Sequence, residues 1–113
     1  MREMIEVLLR QIVDKFNERA RTDPQLKEEL AGFERAVLLR LKDGQEFSFR
    51  ISGGQAIDFQ DKPIPHPEIV IETDAETVEK LMSKEMRIMK AIATRKLRIN
   101  ASLEDMLRMR KFF

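Results

Sequence analysis

Residues 37–60 read VLLRLKDGQEFSFRISGGQAIDFQ, and this stretch decides the fold. Apolar side chains recur at every second position through Val37, Leu39 and Leu41, then Phe47, Phe49 and Ile51, then Ile57 and Phe59. Turn residues separate the three runs at Asp43-Gly44 and Gly53-Gly54. This period of two predicts three antiparallel strands with one apolar face. Loop parity chooses the first register. A two-residue turn at Asp43-Gly44 would set Leu39 opposite Ser48, mixing the faces. A three-residue loop, Lys42-Asp43-Gly44 with Gly44 left-handed, aligns Leu39 with Phe47 and Val37 with Phe49. The same parity predicts an odd loop near Gly53-Gly54-Gln55, setting Ile51 against Ile57 and Phe49 against Phe59. The opposite face carries Glu46, Ser48, Arg50, Asp58 and Gln60 and is expected to meet water.

Upstream, Ile5, Leu8, Leu9, Ile12, Val13 and Phe16 are spaced by threes and fours, which predicts an amphipathic helix over 3–20. Thr22-Asp23-Pro24 offers a cap and a first-turn proline for a short second helix carrying Leu26 and Leu30, closed by Gly32. Downstream, Asp61-Lys62-Pro63-Ile64-Pro65-His66-Pro67 cannot be helical and predicts an extended connector. Seven such residues reach roughly 22 Å, and three strand spacings need only ~14 Å. The connector can therefore carry a fourth strand, residues 68–72, to the far side of strand 1. The expectation is that it cannot also run back down the sheet, which makes strand 4 antiparallel to strand 3. Thr73-Asp74-Ala75-Glu76 reads as a capping box for a helix with Val78, Leu81 and Met82 inward. A further helical stretch carries Met86, Met89 and Ala93 on one stripe and Ile88 and Ile92 on another. Leu97 and Ile99 alternate with Lys96 and Arg98 as a fifth strand, and Ser102 caps a last helix bearing Leu103, Met106, Leu107 and Met109. The fold class is α+β, a sheet with every helix on its apolar face, in a single domain spanning 1–113.

Composition narrows the chemistry. The chain has 113 residues, no Cys and one His, which removes thiolate sites and disulfides and disfavours His-based metal centres and Ser-His-Asp catalysis. His66 reads as a solvated connector residue. Ser52 and Ser102 have no base nearby in sequence, Gly53-Gly54 lacks the Lys-Ser/Thr of a phosphate loop, and nothing places Asp58, Asp61 and Glu68 in a cleft. No enzyme activity, metal or cofactor is expected. With neither Tyr nor Trp and a formal charge of +1, nucleic acid is disfavoured as a partner. The charged N-terminus and the lack of a long apolar run predict a cytoplasmic protein.

Several strings in order resemble the sterol carrier protein 2 (SCP-2) sterol-binding domain family. They are the Val37–Leu41 strand running into Asp43-Gly44 and Phe47-Ser48-Phe49, the Gly53-Gly54 turn, Ile69-Val70-Ile71-Glu72-Thr73-Asp74, and Met89-Lys90-Ala91 followed by Lys96-Leu97-Arg98-Ile99. The resemblance covers nearly the whole chain. It implies a five-stranded mixed sheet of order 3-2-1-4-5 with an apolar tunnel between sheet and helices for a sterol, fatty acyl chain or phospholipid tail. Some relatives in the family are accessory domains. Members often carry Gly before the Lys-Leu-Lys-Ile strand. Arg95 stands there in this chain, which predicts that the backbone needs no left-handed residue at that point.

A lipid carrier needs an adaptable apolar wall, and unbranched, polarizable Met supplies one. Five of the seven Met fall at Met82 or later. From facing and helix phase, the candidate lining residues are Leu8, Ile12, Phe16, Leu39, Phe47, Phe49, Met86, Met89, Met106 and Met109. An empty tunnel of ~300 Å³ would cost roughly 7 kcal/mol, comparable with a whole domain's stability of about 5–15 kcal/mol. The pocket is therefore expected to be narrowed or to retain a lipid. Charge is uneven: residues 84–113 hold nine basic and three acidic side chains, whereas 1–83 hold twelve and seventeen. Lys80, Lys84 and Arg87, read as one helical face, and Arg108, Arg110 and Lys111 are candidates for contact with anionic headgroups or an anionic membrane, at about 1 kcal/mol per basic residue. The expected function is non-catalytic lipid binding or transfer. The alternative is an accessory module with a filled core that binds a protein partner.

Overall fold

The computed structural model describes residues 2–112. Helix α1 spans Arg2–Thr22, and α2 spans Pro24–Glu29, capped by Asp23, whose carboxylate accepts from the N–H groups of Gln25 and Leu26. Strands β1 (Arg35–Leu41), β2 (Glu46–Ser52) and β3 (Gln55–Gln60) form the meander. After the proline connector come β4 (Ile69–Thr73), α3 (Ala75–Met82), α4 (Ile88–Ala93), β5 (Arg98–Asn100), α5 (Leu103–Met109) and a 3₁₀ turn over Arg110–Phe112. The sheet order is β3-β2-β1-β4-β5, mixed because β1 and β4 run parallel.

The first hairpin has the register that loop parity requires: Leu39 faces Phe47, Val37 faces Phe49, and Gly44 is left-handed at φ 98°. The second hairpin differs. Both Gly53 and Gly54 have positive φ, so they make a tight two-residue turn, and Ile51 pairs with Ala56 rather than Ile57. Ile57 lies opposite Arg50 on the outer face, 40% exposed. A bulge then restores the pattern. Asp58 is left-handed at φ 58°, Asp58 and Phe59 together face Phe49, and Gln60 pairs with Ser48. Phe59 thus returns inward and stacks on Phe47 at 5.8 Å.

Strand β4 is parallel to β1, and hence to β3, so the antiparallel expectation fails. The sideways and lengthwise displacements combine in quadrature: ~14 Å across and ~17 Å down five residues make only about 22 Å. The eight residues between Gln60 and Ile69 reach roughly 25 Å as polyproline. The connector crosses the outer face, which therefore does not meet water throughout. Ser48 is fully buried there, its hydroxyl donating to the Lys62 carbonyl at 2.7 Å and accepting from Gln60 Nε2 at 2.9 Å. Ala36 and Leu38 are buried on the same side. Glu68 clasps Ala36 in both directions, donating its N–H to the Ala36 carbonyl and accepting the Ala36 N–H on its carboxylate.

All helices pack on the inner face. Helix α1 buries Ile5, Leu9 and Ala20 against the sheet. Asn17 binds the edge strand β3 as another strand would, Nδ2 donating to the Ala56 carbonyl at 2.9 Å and Oδ1 accepting the Ala56 N–H at 2.7 Å. The cap of α3 is Asp74, which accepts the Thr77 N–H at 2.7 Å, one residue beyond the expected Thr73. Thr73 closes β4 instead, and its hydroxyl donates to the Lys96 carbonyl. The buried core divides into two clusters, one around Leu26, Phe33, Val37 and Phe112, the other around Ile5, Leu39, Phe47 and Val78.

Candidate lipid cavity

Between the two clusters lies a cavity of about 230 Å³. Its floor is the inner sheet face, with Val37 and Leu39 from β1, Phe49 and Ile51 from β2, and Ile69 and Ile71 from β4. Its roof is one stripe of α1: Leu9, Ile12, Val13 and Phe16. Val78, Leu81 and Ile88 form one side, and Met109 and Phe112 form an end. No ionisable residue lines it, and the surface it presents is wholly apolar. The hydroxyl of Thr73, the one polar side chain in the wall, is committed to the Lys96 carbonyl at 2.8 Å. Such a wall offers no nucleophile, acid or base. It can do one thing well, which is to hold an apolar group out of water.

The end wall is set by a cluster of rings and guanidinium groups. Phe112 meets Phe33 edge-on at 5.5 Å and Phe16 at 6.4 Å. The guanidinium groups of Arg35 and Arg108 lie over the Phe33 ring at 4.6 and 5.0 Å. Arg35 donates twice to Asp105, at 2.7 and 2.8 Å, and these hydrogen bonds hold the Asp105 carboxyl below its ordinary pKa even though burial opposes the charge. Arg108 donates to the carbonyls of Glu29 and Ala31, and Arg19 to that of Phe112. These contacts fasten the C-terminal turn against α1, α2 and β1.

Of the ten candidate lining residues, Ile12, Phe16, Leu39, Phe49 and Met109 line the cavity. Leu8 and Phe47 pack in the neighbouring cluster, and Met86 is half-buried away from the cavity. Met89 and Met106 are 54% and 41% exposed and line a separate outer groove. The wall is built mainly from branched aliphatic residues because most of it is sheet face and helix stripe. Phe112, in the last three residues, carries no periodic signal of its own.

The six candidate headgroup cations do not gather. Helix α3 ends at Met82 and α4 begins at Ile88, so Lys80, Lys84 and Arg87 share no helical face. Lys80 is paired with Glu76 at 3.0 Å, and Lys111 lies 3.8 Å from Glu29. Arg108 belongs to the Phe33 clamp, and Arg110 borders the outer groove. Arg95 is left-handed at φ 61°, contrary to the expectation from its side chain, so the glycine-type turn persists without glycine.

The outer groove, about 720 Å³, runs between α4, β5 and α5. Leu97, Ile99 and Met109 line both this groove and the cavity, so the partition between them is one side chain thick there. Among the described residues, no helix is long and apolar enough to cross a membrane.

Comparison with known proteins agrees with this architecture. The chain superposes on a solved ubiquinone synthesis protein, UbiJ-SCP2, with TM-score 0.62 at 13% identity, covering 95% of this chain and 88% of that one. Palmitated SCP2L2 from Aedes aegypti gives 0.59 at 14% identity, with 88% and 90% covered. The sec-alkylsulfatase Pisa1 from Pseudomonas sp. gives 0.54 at 10% identity, and there 75% of this chain corresponds to only 13% of a much longer protein. At such identities the likeness is one of fold. No curated protein matches the chain by sequence. The SCP-2 sterol transfer family profile matches residues 13–113, nearly the whole length, and the chain belongs to that family.

Proposed function

We propose that this chain binds the apolar part of a lipid, an acyl tail or a sterol, between α1 and the sheet, as a non-catalytic carrier acting as one unit over its full length. The observation that carries the reading is the 230 Å³ cavity with a wholly apolar, non-ionisable wall. It exceeds the ~150 Å³ of an engineered dry cavity known to take up benzene. Left empty, it would cost roughly 5–6 kcal/mol, a large share of the 5–15 kcal/mol typical of a domain, so an occupant stabilises the fold by restoring missing contacts. The palmitated state of the Aedes aegypti relative supports an acyl ligand. A filled-core accessory module is disfavoured by the same cavity.

The test is uptake of a fluorescent fatty acid, with displacement by unlabelled fatty acid and by sterol, alongside mass spectrometry of an organic extract. Stoichiometric binding is expected, with a stability gain of about 2.7 kcal/mol at a ligand concentration 100 times Kd. Absence of any uptake, with no lipid in the extract and no thermal shift, would sink the proposal.

A further inference from the structure

The topology brings a separate group of charges to one end of the sheet. Strands β1 and β4 run parallel and finish side by side at Leu41 and Thr73, where the Lys42 N–H donates to the Thr73 carbonyl at 2.9 Å. Strand β5 runs the opposite way, so the residues that lead into it, Arg95 and Lys96, stand at that same end. A cleft of about 410 Å³ opens there, within the roughly 300–1,000 Å³ usual for small ligands. Arg40, Lys42, Arg95, Lys96 and Arg98 line it with Glu72 and Asp74, five cations less two acids, a net charge of +3. Both acids are engaged. Glu72 is in register between Arg40 and Arg98 on the outer face, 3.7 Å from the Arg40 guanidinium, and the Asp74 carboxylate accepts the Thr77 N–H at 2.7 Å. Asp43, on the adjoining turn, is bound to Gln45 at 3.0 and 2.6 Å. Lys42, Arg95, Lys96 and Arg98 are exposed and form no ion pair with another described residue.

Arg95 is set apart by its backbone. Its N–H returns to the Ile92 carbonyl at 3.1 Å and the Lys96 N–H to the Ala91 carbonyl at 2.8 Å, the paired bonds that close a helix at a left-handed residue. Glycine is the usual choice at that place. Arginine holds it at φ 61°, although its side chain makes no hydrogen bond or ion pair among the described residues. Strain kept without an internal partner, at the rim of a cationic cleft, points to a role outside the fold.

We infer that this cleft at the ends of β1 and β4 binds a phosphate-bearing anion, with Lys42, Arg95 and Lys96 contacting its oxygens and Arg98 at the rim. Phosphate suits the site better than a single carboxylate, because its oxygens and its second charge can be shared among several cations. Guanidinium forks also match it in bidentate form. The N-terminus of α3 is not the site, since Asp74 already caps it. Thr73 lines both this cleft and the apolar cavity. The phosphate can therefore belong to a soluble molecule, or to the head of a lipid whose tail lies behind Thr73. Only the second source rests on the proposed lipid binding.

The experiment is titration with pyrophosphate, followed by calorimetry and by amide chemical shifts. Saturable binding that weakens with salt is expected, with shifts confined to residues 40–44, 72–74 and 95–98. Arg95→Gly should weaken it about tenfold or more without lowering Tm, because glycine suits the left-handed turn. A purely structural Arg95 would not give that combination. Arg95→Lys should recover part of the loss, and Lys42→Ala/Lys96→Ala should weaken binding as Arg95→Gly does. Lys15→Ala/Lys27→Ala/Arg50→Ala, which removes three exposed cations outside the cleft, should leave it unchanged. No saturable binding, equal binding by Arg95→Gly and the parent, or shifts scattered over every basic surface would overturn the inference. Competition names the source. Displacement of pyrophosphate by lysophosphatidate but not by monoacylglycerol assigns the phosphate to a lipid, and displacement by neither assigns it to a soluble molecule. Displacement by both would mean that an apolar chain takes the same space, which overturns the assignment to the cleft. Fatty-acid uptake by the same proteins keeps the two readings apart: uptake without pyrophosphate binding refutes this inference alone, and pyrophosphate binding without uptake refutes only the cavity ligand.

Discussion

Arg35 and Asp105, seventy residues apart in sequence, meet through two hydrogen bonds of 2.7 and 2.8 Å and fasten the last helix to the first strand. Asp105 is 5% exposed and Arg35 also lies over Phe33, so the pair stands where the end wall of the cavity is built. Replacing Asp105 with Asn removes one charge and leaves a partly buried guanidinium without its partner. The expected loss is about 1–3 kcal/mol, read as a fall of roughly 4–8 °C in Tm per kcal/mol.

The same pair sets a pH dependence. The folded-state pKa of Asp105 lies below its unfolded value, so its contribution is complete above the unfolded pKa of about 3.9 and is lost as pH falls through the lower, folded one. Asp74 acts in the same direction. Burial opposes its charge, but the Thr77 N–H and hydroxyl, with Lys96 and Lys42, hold its pKa down. Urea midpoints measured from pH 6 downward should therefore fall below about pH 4 in the parent, and less steeply in Asp105→Asn.

Arg95 stands in a left-handed conformation that costs a non-glycine residue roughly 1–2 kcal/mol. Arg95→Gly should be more stable than Arg95→Ala by about 1 kcal/mol, since both lose the cation and only one relieves the backbone. Equal denaturation midpoints for the two variants would remove the strain argument.

Asn17 predicts a local effect. Asn17→Ala deprives the Ala56 N–H and carbonyl of their partner across α1 and β3. Stability should drop by about 1–2 kcal/mol, and the Ala56 amide should lose hydrogen-exchange protection more than amides of β1.

Ala56 also lines the cavity. Ala56→Leu adds three carbons to an unfilled space, which should raise the stability of the ligand-free protein by about 1–2 kcal/mol and lower the capacity for a fatty-acid probe. A variant that is stabilised yet binds the probe as before would show that the ligand lies elsewhere.

Much of this was legible in the chain. The stripe of α1, the Leu39–Phe47 register and the place of β4 beside β1 follow from period, parity and reach, while the place of β5 at the edge was implied by the family resemblance. The second hairpin was not, because the even Gly53-Gly54 turn and the bulge at Asp58 and Phe59 each shift parity by one, and only their sum keeps Phe59 inward. The direction of β4 departs from expectation because the sideways and lengthwise displacements are perpendicular and do not compete for one length of connector. Half of the expected lining residues reach the cavity, and Met89 and Met106 do not. Composition marks Met as adaptable apolar material without saying which side of a helix of six or seven residues it occupies. Arg108 departs from expectation for a related reason: its charge suggests solvent, while its fork and flat face suit the carbonyls and ring it holds.

The crossover between β3 and β4 bears on how the sheet assembles. The β1–β2–β3 meander closes through short turns and can form early, but it then presents an apolar face and an unpaired β1 edge. The parallel β1–β4 ladder, at the centre of the finished sheet, must wait for the meander and the connector to be in place. Non-local pairing of this kind slows folding and prolongs the exposure of sticky edges. A chain divided within 61–68 would leave β1, β2 and β3 on one fragment and β4 and β5 on the other, and neither would hold a complete sheet.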